Sequence, residues 1–185
     1  ITEEADEVIV LQPMYVTYEA TVRASGATLV PVVLDESSGF SLNVEYLKVA
    51  ITRKTRAIYF ATPNNPTGIS LNRDELKSIA DLAIKHDLWV VSDEVYSDLV
   101  FDSEFFHIAS LPGMAERTIT LGSLSKSFAM TGWRMPSGQR LMCGHLRAQC
   151  RSMFQTPQRG RVRSPHYDLV RGRATRFGHG AKTIW

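Results

Sequence analysis

Arg56-Ala-Ile-Tyr-Phe-Ala-Thr62, Pro63-Asn-Asn-Pro-Thr-Gly68 and Asn72-Arg-Asp-Glu-Leu-Lys-Ser-Ile-Ala-Asp-Leu-Ala-Ile-Lys85 follow in close succession and read as strand, loop and helix. The first is an apolar run, aromatic and β-branched, of the length buried strands have. The second is turn chemistry throughout: proline fixes φ, asparagine bonds its own backbone, and glycine takes left-handed angles. The third opens on a capping box, with Asn72 as N-cap and Glu75 three residues on. Leu76, Ile79, Ala80, Ala83 and Ile84 then fall on one face at helical spacing. A strand that passes through a short polar loop into an amphipathic helix is the repeating unit of an α/β sheet.

The same alternation continues on both sides. Glu7–Leu11 reads as a strand, Tyr15–Ser25 as a helix stopped by Gly26, Thr28–Val33 as a strand and Asn43–Ile51 as a short helix. Leu88–Val91 and Thr118–Leu121 are continuous apolar runs, the pattern of strands buried on both faces of a parallel sheet. Beyond Arg134 the periodicity stops. Residues 156–180 are rich in Arg, Gly, Pro and His and have no apolar face. The expected division is therefore an α/β domain over residues 1–134 and a tail over 135–185.

A chain of 185 residues is long enough for one domain with a real core. No apolar run is long enough to cross a bilayer as a helix. The chain starts with Ile1 and enters a buried strand almost at once, so its true start is expected to lie upstream. Cys143 and Cys150 are the only cysteines, too few for a disulfide framework, and they fit a reducing, cytoplasmic setting. The charge is lopsided. Residues 1–134 carry 11 Lys+Arg and 18 Asp+Glu, a net of −7. Residues 135–185 carry 10 Lys+Arg, nine of them Arg, and the single acid Asp168, a net of +9.

Open α/β sheets bind ligands just beyond the carboxyl ends of their strands. Asn64, Asn65 and Thr67 follow the strand at 56–62. Ser92, Asp93 and Tyr96 follow Leu88–Val91, and Ser123, Ser125 and Lys126 follow Thr118–Leu121. Each residue alone has an ordinary reading: Asp93 as a helix cap, Asn65 as a turn before Pro66, Lys126 as a solvated loop lysine. It is the set, on consecutive strand ends, that points to chemistry.

That set resembles the class I and II aminotransferases of fold type I, which use pyridoxal 5'-phosphate. The lysine motif is Ser123-Leu-Ser-Lys126-Ser-Phe-Ala-Met-Thr-Gly-Trp-Arg134, the Asn-Pro-Thr-Gly motif is Asn65–Gly68, and the Asp-x-x-Tyr motif is Asp93–Tyr96. Pro13-Met-Tyr-Val-Thr-Tyr18 matches the segment that supplies the ring-stacking aromatic. The likeness covers about residues 5–134. Within the family, the segments beginning at Pro13 and Ala109 look most like arginine–pyruvate transaminases.

The resemblance implies an incomplete three-layer αβα sandwich on a mostly parallel sheet. It also implies a role for each matched residue. Lys126 would carry the cofactor as a Schiff base and move the proton, with a lowered pKa supplied by partial burial. Asp93 would keep the pyridine nitrogen protonated. Asn65 and Tyr96 would bond the phenolic oxygen, and Tyr15 would stack on the ring. Ser123, Ser125 and Arg134 would hold the phosphate. A cis Asn65–Pro66 bond is expected as well. Amino acids and 2-oxo acids would be the substrates, and the whole protein a homodimer. Tyr18, His86 and His107 lie outside these roles and read as packing or surface residues. A carbon–sulfur lyase of the same fold and a non-catalytic, aminotransferase-like domain of a transcription regulator share these motifs.

The chain also departs from the family. A first phosphate loop would precede residue 1, and the arginine that clamps the substrate carboxylate has no counterpart, so a fragment inactive by itself is expected. Family members continue past the motif arginine into an antiparallel strand. Met135-Pro-Ser-Gly-Gln-Arg140 is not expected to form one, because proline lacks the donor and no alternation exists. Out-of-frame translation from about residue 136 accounts for the loss of pattern, of acids and of lysine together. A nucleic-acid-binding basic tail is the rival account, but no stacking aromatics are interleaved in a recognisable module. Cys143, His145 and Cys150 match no zinc spacing.

Overall fold

The computed structural model describes residues 1–101, 103–127 and 136–141 of the chain. Six strands form one sheet: β1 (Glu7–Gln12), β2 (Thr28–Val33), β3 (Thr55–Ala61), β4 (Trp89–Asp93), β5 (Thr118–Ser123) and β6 (Pro136–Leu141), in the order β2-β1-β3-β4-β5-β6. The first five are parallel and β6 runs antiparallel to β5. Helices α1 (Thr17–Ala24), α2 (Val44–Ala50) and α3 (Arg73–Lys85) lie between strands, and the turn of helix α4 (Leu124–Ser127) follows β5.

Side chains along a strand alternate between the faces of the sheet, and here each face has its own helical layer. Val8, Val10, Ala57, Tyr59 and Ala61 pack with Tyr18 and Val22 of α1. Ile9, Leu11, Ile58, Phe60 and Val90 pack with Leu47 of α2 and Leu76, Ile79 and Ala83 of α3. A strand covered on both sides has no polar face to show, which is why β1 and β3 read as unbroken apolar runs. The three-layer αβα arrangement expected from the sequence is present.

Local structure follows the sequence closely at α3. Asn72 Oδ1 accepts from the amides of Asp74 at 2.9 Å and Glu75 at 3.0 Å, and Glu75 Oε2 accepts from Asn72 N at 2.8 Å. The second Glu75 oxygen takes the amide of buried Leu42 at 2.8 Å, fastening the approach to α2 onto the start of α3. Helix α1 begins at Thr17 rather than Tyr15, with Val16 as N-cap, so Tyr15 sits in the turn before it. The chain leaves α1 through Gly26 at φ +81°, a left-handed angle that costs glycine nothing.

One expectation is overturned. Pro136-Ser-Gly-Gln-Arg-Leu141 does form the antiparallel strand, with Ser123 opposite Pro136, Gly122 opposite Ser137 and Leu121 opposite Gly138. Pro136 is the first residue of the strand, where its missing N–H costs the ladder least. Alternation is also not needed, because ladder pairing joins backbone groups. The remaining tail, with Cys143, His145, Cys150 and the Arg-rich stretch, lies outside the described residues.

Removing the cap should weaken the fold measurably. Asn72→Ala is expected to cost about 1 kcal/mol. Glu75→Ala should cost more, about 2 kcal/mol, because it also strands the buried Leu42 amide. Urea unfolding at unchanged slope measures both, and a smaller loss for Glu75→Ala would contradict the double role of that carboxylate.

Candidate active site

From β1 the chain turns to β2 on one flank and returns as β3 on the other. Such a reversal of strand order is where open α/β sheets bind ligands, beyond the carboxyl ends of the strands. Asn64 joins the loop after β3 to the end of β1: Nδ2 donates to Pro13 O at 3.0 Å, while Oδ1 accepts from Thr67 N at 3.2 Å and Thr67 Oγ1 at 3.0 Å. The next residue, half-buried Asn65, precedes Pro66 through a cis peptide bond, as expected; Gln12–Pro13 and Thr62–Pro63 are cis as well.

Asp93 ends β4. Its Oδ2 accepts from the Tyr18 hydroxyl at 2.6 Å and its Oδ1 from Val95 N at 3.2 Å, while its carbonyl takes Thr62 N at 2.9 Å. Tyr18 lies flat on Tyr59, with centroids 4.1 Å apart and planes 24° apart, and meets the Tyr15 ring edge-on at 6.0 Å. Burial first, then the hydrogen bond and negative charge of Asp93, push the Tyr18 hydroxyl far above the usual tyrosine range. Burial and the same carboxylate push Tyr59 up too. Tyr18 is therefore a standing donor to Asp93. Tyr15 is 42% exposed, which leaves its ring open to a flat partner.

Asp93 pairs across the ladder with Leu121 of β5, and β5 runs on into Ser123, Ser125 and Lys126. Ser125 N donates to Ser123 Oγ at 3.1 Å. Lys126 Nζ lies 5.5 Å from the centroid of the half-buried Tyr96 ring, a cation–π contact. Lys126 is exposed, so the described residues do not supply the partial burial expected of it. Arg134 lies outside the described residues. Asp93, Tyr96 and Lys126 thus lie just past two adjacent strand ends, with Tyr15 and Asn65 on the connections that follow β1 and β3.

Two features escaped the sequence reading. Tyr18, taken for packing, does pack on Tyr59, and it also holds Asp93. Its position three residues after Tyr15 put both near one side of the helix start, which was the available clue. His107, taken for surface or packing, has Nδ1 2.6 Å from Oε2 of Glu94, a residue 4% exposed. Ser92 Oγ donates to the other Glu94 oxygen at 3.0 Å. Burial raises the Glu94 carboxyl, against the lowering effect of His107 and Ser92. Period-two alternation puts Glu94 on the face opposite Asp93, where a carboxylate needs a partner.

A mostly parallel sheet with helices on both faces, and a carboxylate and a lysine on neighbouring strand ends, defines a domain of the α/β class. The chain belongs to the aminotransferase class I and II family, whose match covers residues 1–139. It is 53% identical over 143 residues to an arginine–pyruvate transaminase of Pseudomonas aeruginosa, covering 76% of this chain and 36% of that protein. It is 47% identical over 134 residues to aromatic-amino-acid aminotransferase 2 of Thermococcus litoralis, covering 72% and 34%. The crystal structure of an aromatic aminotransferase from Pyrococcus horikoshii superposes with a TM-score of 0.71 at 44% identity, covering 74% of this chain and 36% of that one. A Thermus thermophilus aspartate aminotransferase with maleate gives 0.71 at 40%, covering 74% and 35%. The chain spans about a third of the length of these relatives.

The tyrosine pair has a pH signature. An ordinary tyrosine titrates near 10.0, and Tyr18 and Tyr59 hold their protons more tightly folded than unfolded. Their contribution is complete below that pH and is lost as pH rises through and beyond it. The stability gap between wild type and Tyr18→Phe should therefore shrink above about pH 10. A gap that stays constant through alkaline urea titrations would contradict a Tyr18 proton held by the fold.

Proposed function

We propose that this chain is part of the cofactor-binding large domain of an aminotransferase that moves an amino group from an amino acid to a 2-oxo acid, using pyridoxal 5'-phosphate. The observation that carries the reading is the Tyr18–Asp93 pair at the end of β4, one strand away from Lys126. The donor set suits the cofactor. Asp93 keeps lone pairs beyond those given to Tyr18 and Val95, which a ring N–H can use, and hydroxyls and an amine lie on the next strand end. The names of the transaminase relatives support amino transfer.

When bound, the cofactor supplies an electron-poor ring that makes the α-proton of an attached amino acid acidic. The chain supplies the rest. Asp93, oriented by Tyr18, holds the ring nitrogen protonated, because a fixed carboxylate favours the cationic form beside it. Tyr96 and Asn65 donate to the phenolic oxygen. Tyr15 would stack against the ring, and Ser123, Ser125 and Arg134 would hold the phosphate. Lys126 would hold the cofactor through its ε-amine, and that amine would serve as the base for the α-proton. The family resemblance further supports a cytoplasmic homodimer as the assembled protein.

Reductive trapping with borohydride in the presence of pyridoxal phosphate, followed by peptide mass mapping, should place the label on Lys126; label on another lysine with Lys126 unmodified sinks the assignment. In the whole protein Lys126→Ala should lower turnover by about 10²–10⁴-fold. Amino transfer without stoichiometric ammonia release separates a transaminase from a lyase.

A further inference from the structure

The end of β4 carries two carboxylates in a row, and the proposed function uses only one. Asp93 faces the α1 layer and Tyr18. Glu94, on the opposite face, is 4% exposed and takes Ser92 Oγ at 3.0 Å and His107 Nδ1 at 2.6 Å. Its backbone is fixed too, since Glu94 N donates to Leu121 O at 2.8 Å and Glu94 O accepts from Ser97 N at 3.0 Å. His107 comes from the crossover that joins β4 to β5, and fully buried Ile108 and Met114 seat that crossover in the core. The imidazole lies edge-on to Phe105, with centroids 4.9 Å apart, while its side chain stays 58% exposed.

A buried carboxylate without a partner is costly, and the backbone relaxes to relieve it. Here the relaxation would fall on residues 93–96, the turn that directs the Asp93 carboxylate and the Tyr96 ring. With its partner in place, Glu94 pins the far side of that turn to both β5 and the crossover. On the other side of the turn the Asp93 carboxylate takes Tyr18 and Val95 N.

We propose that Glu94 and His107 are positioning residues for the site, a buried latch behind β4 that sets the directions of Asp93 and Tyr96. The inference rests on the function proposed above only for its consequence, since the geometry it concerns exists in the chain without ligand. It makes His107 a determinant of cofactor affinity although its contact lies on the opposite face of the sheet from Asp93.

The test uses His107→Leu, which removes the donor, and His107→Asn, whose side-chain amide replaces Nδ1. In the ligand-free chain, ¹³C-carboxyl NMR of labelled aspartates, with Asp93 assigned by Asp93→Asn, should show the Asp93 resonance displaced in His107→Leu and restored in His107→Asn. In the whole protein, affinity for pyridoxal phosphate, read from its absorbance, should fall about tenfold in His107→Leu, the size expected when one hydrogen bond is lost, and recover in His107→Asn. Urea unfolding verifies that each variant is folded, and Glu94→Gln, read in the same way, stands in if His107→Leu is not. An Asp93 resonance unmoved in a folded variant overturns the proposal and leaves the pair a structural bond only. Failure of the wild-type whole protein to bind pyridoxal phosphate would count against the proposed function, while the ligand-free NMR result would still decide the latch.

Discussion

The site depends on one hydrogen bond, from the Tyr18 hydroxyl to Asp93 at 2.6 Å. The two residues are far apart in sequence: Tyr18 belongs to α1, the helix after β1, and Asp93 to β4, and in the sheet β3 lies between β1 and β4. They meet only because β3 presents Tyr59 between them as a flat platform, on which Tyr18 lies 4.1 Å away. A smaller residue at position 59 would leave Tyr18 without a surface to settle on. The stack, the strand order and the carboxylate's orientation are one constraint seen from three sides. Burial makes the arrangement durable, because it keeps both hydroxyls protonated and so keeps Tyr18 a donor.

This explains why the strand ends carry chemistry and the strand centres do not. Within β1, β3 and β4 both faces are covered, and Ile9, Val10, Ile58 and Val90 are fully buried. Polar groups at those positions would lose water without gaining a partner. At the carboxyl ends the helical layers part, and a carboxylate can keep some solvent while borrowing donors from its neighbours. Asn64 shows the same economy: it is buried, and its amide spends its bonds on joining the β3 loop to the end of β1.

Much of this was legible in the sequence, for definite reasons. The capping box at Asn72 and the apolar face of α3 are local features, governed by residues within a turn of each other, and the helix runs over the expected residues. β2 likewise matches its expected bounds. The start of α1 was misplaced, because Tyr15 and Val16 have no propensity that marks them as lying outside a helix. β6 was misjudged for the opposite reason: its pairing is a property of the β5 edge, which offers backbone groups to any extended segment, so the side chains of 136–141 carried little information. The partners of Asp93 and Glu94 were hidden because both are tertiary, and no local pattern links position 18 to 93 or 94 to 107.

Asp93 and Glu94 show how environment divides work between like residues. They are adjacent, of the same charge, and directed to opposite faces by the pleat. Asp93 is half-buried and takes a neutral phenol and a backbone amide, so its charge remains available to a cation placed before it. Glu94 is buried, and its two oxygens find their partners within the protein, Ser92 and His107. Burial raises the Glu94 carboxyl, His107 and Ser92 work against that rise, and the neighbouring Asp93 charge adds to it. With its two oxygens bonded to Ser92 and His107, the hidden carboxylate is held on its own face and leaves Asp93 as the one that meets Tyr18.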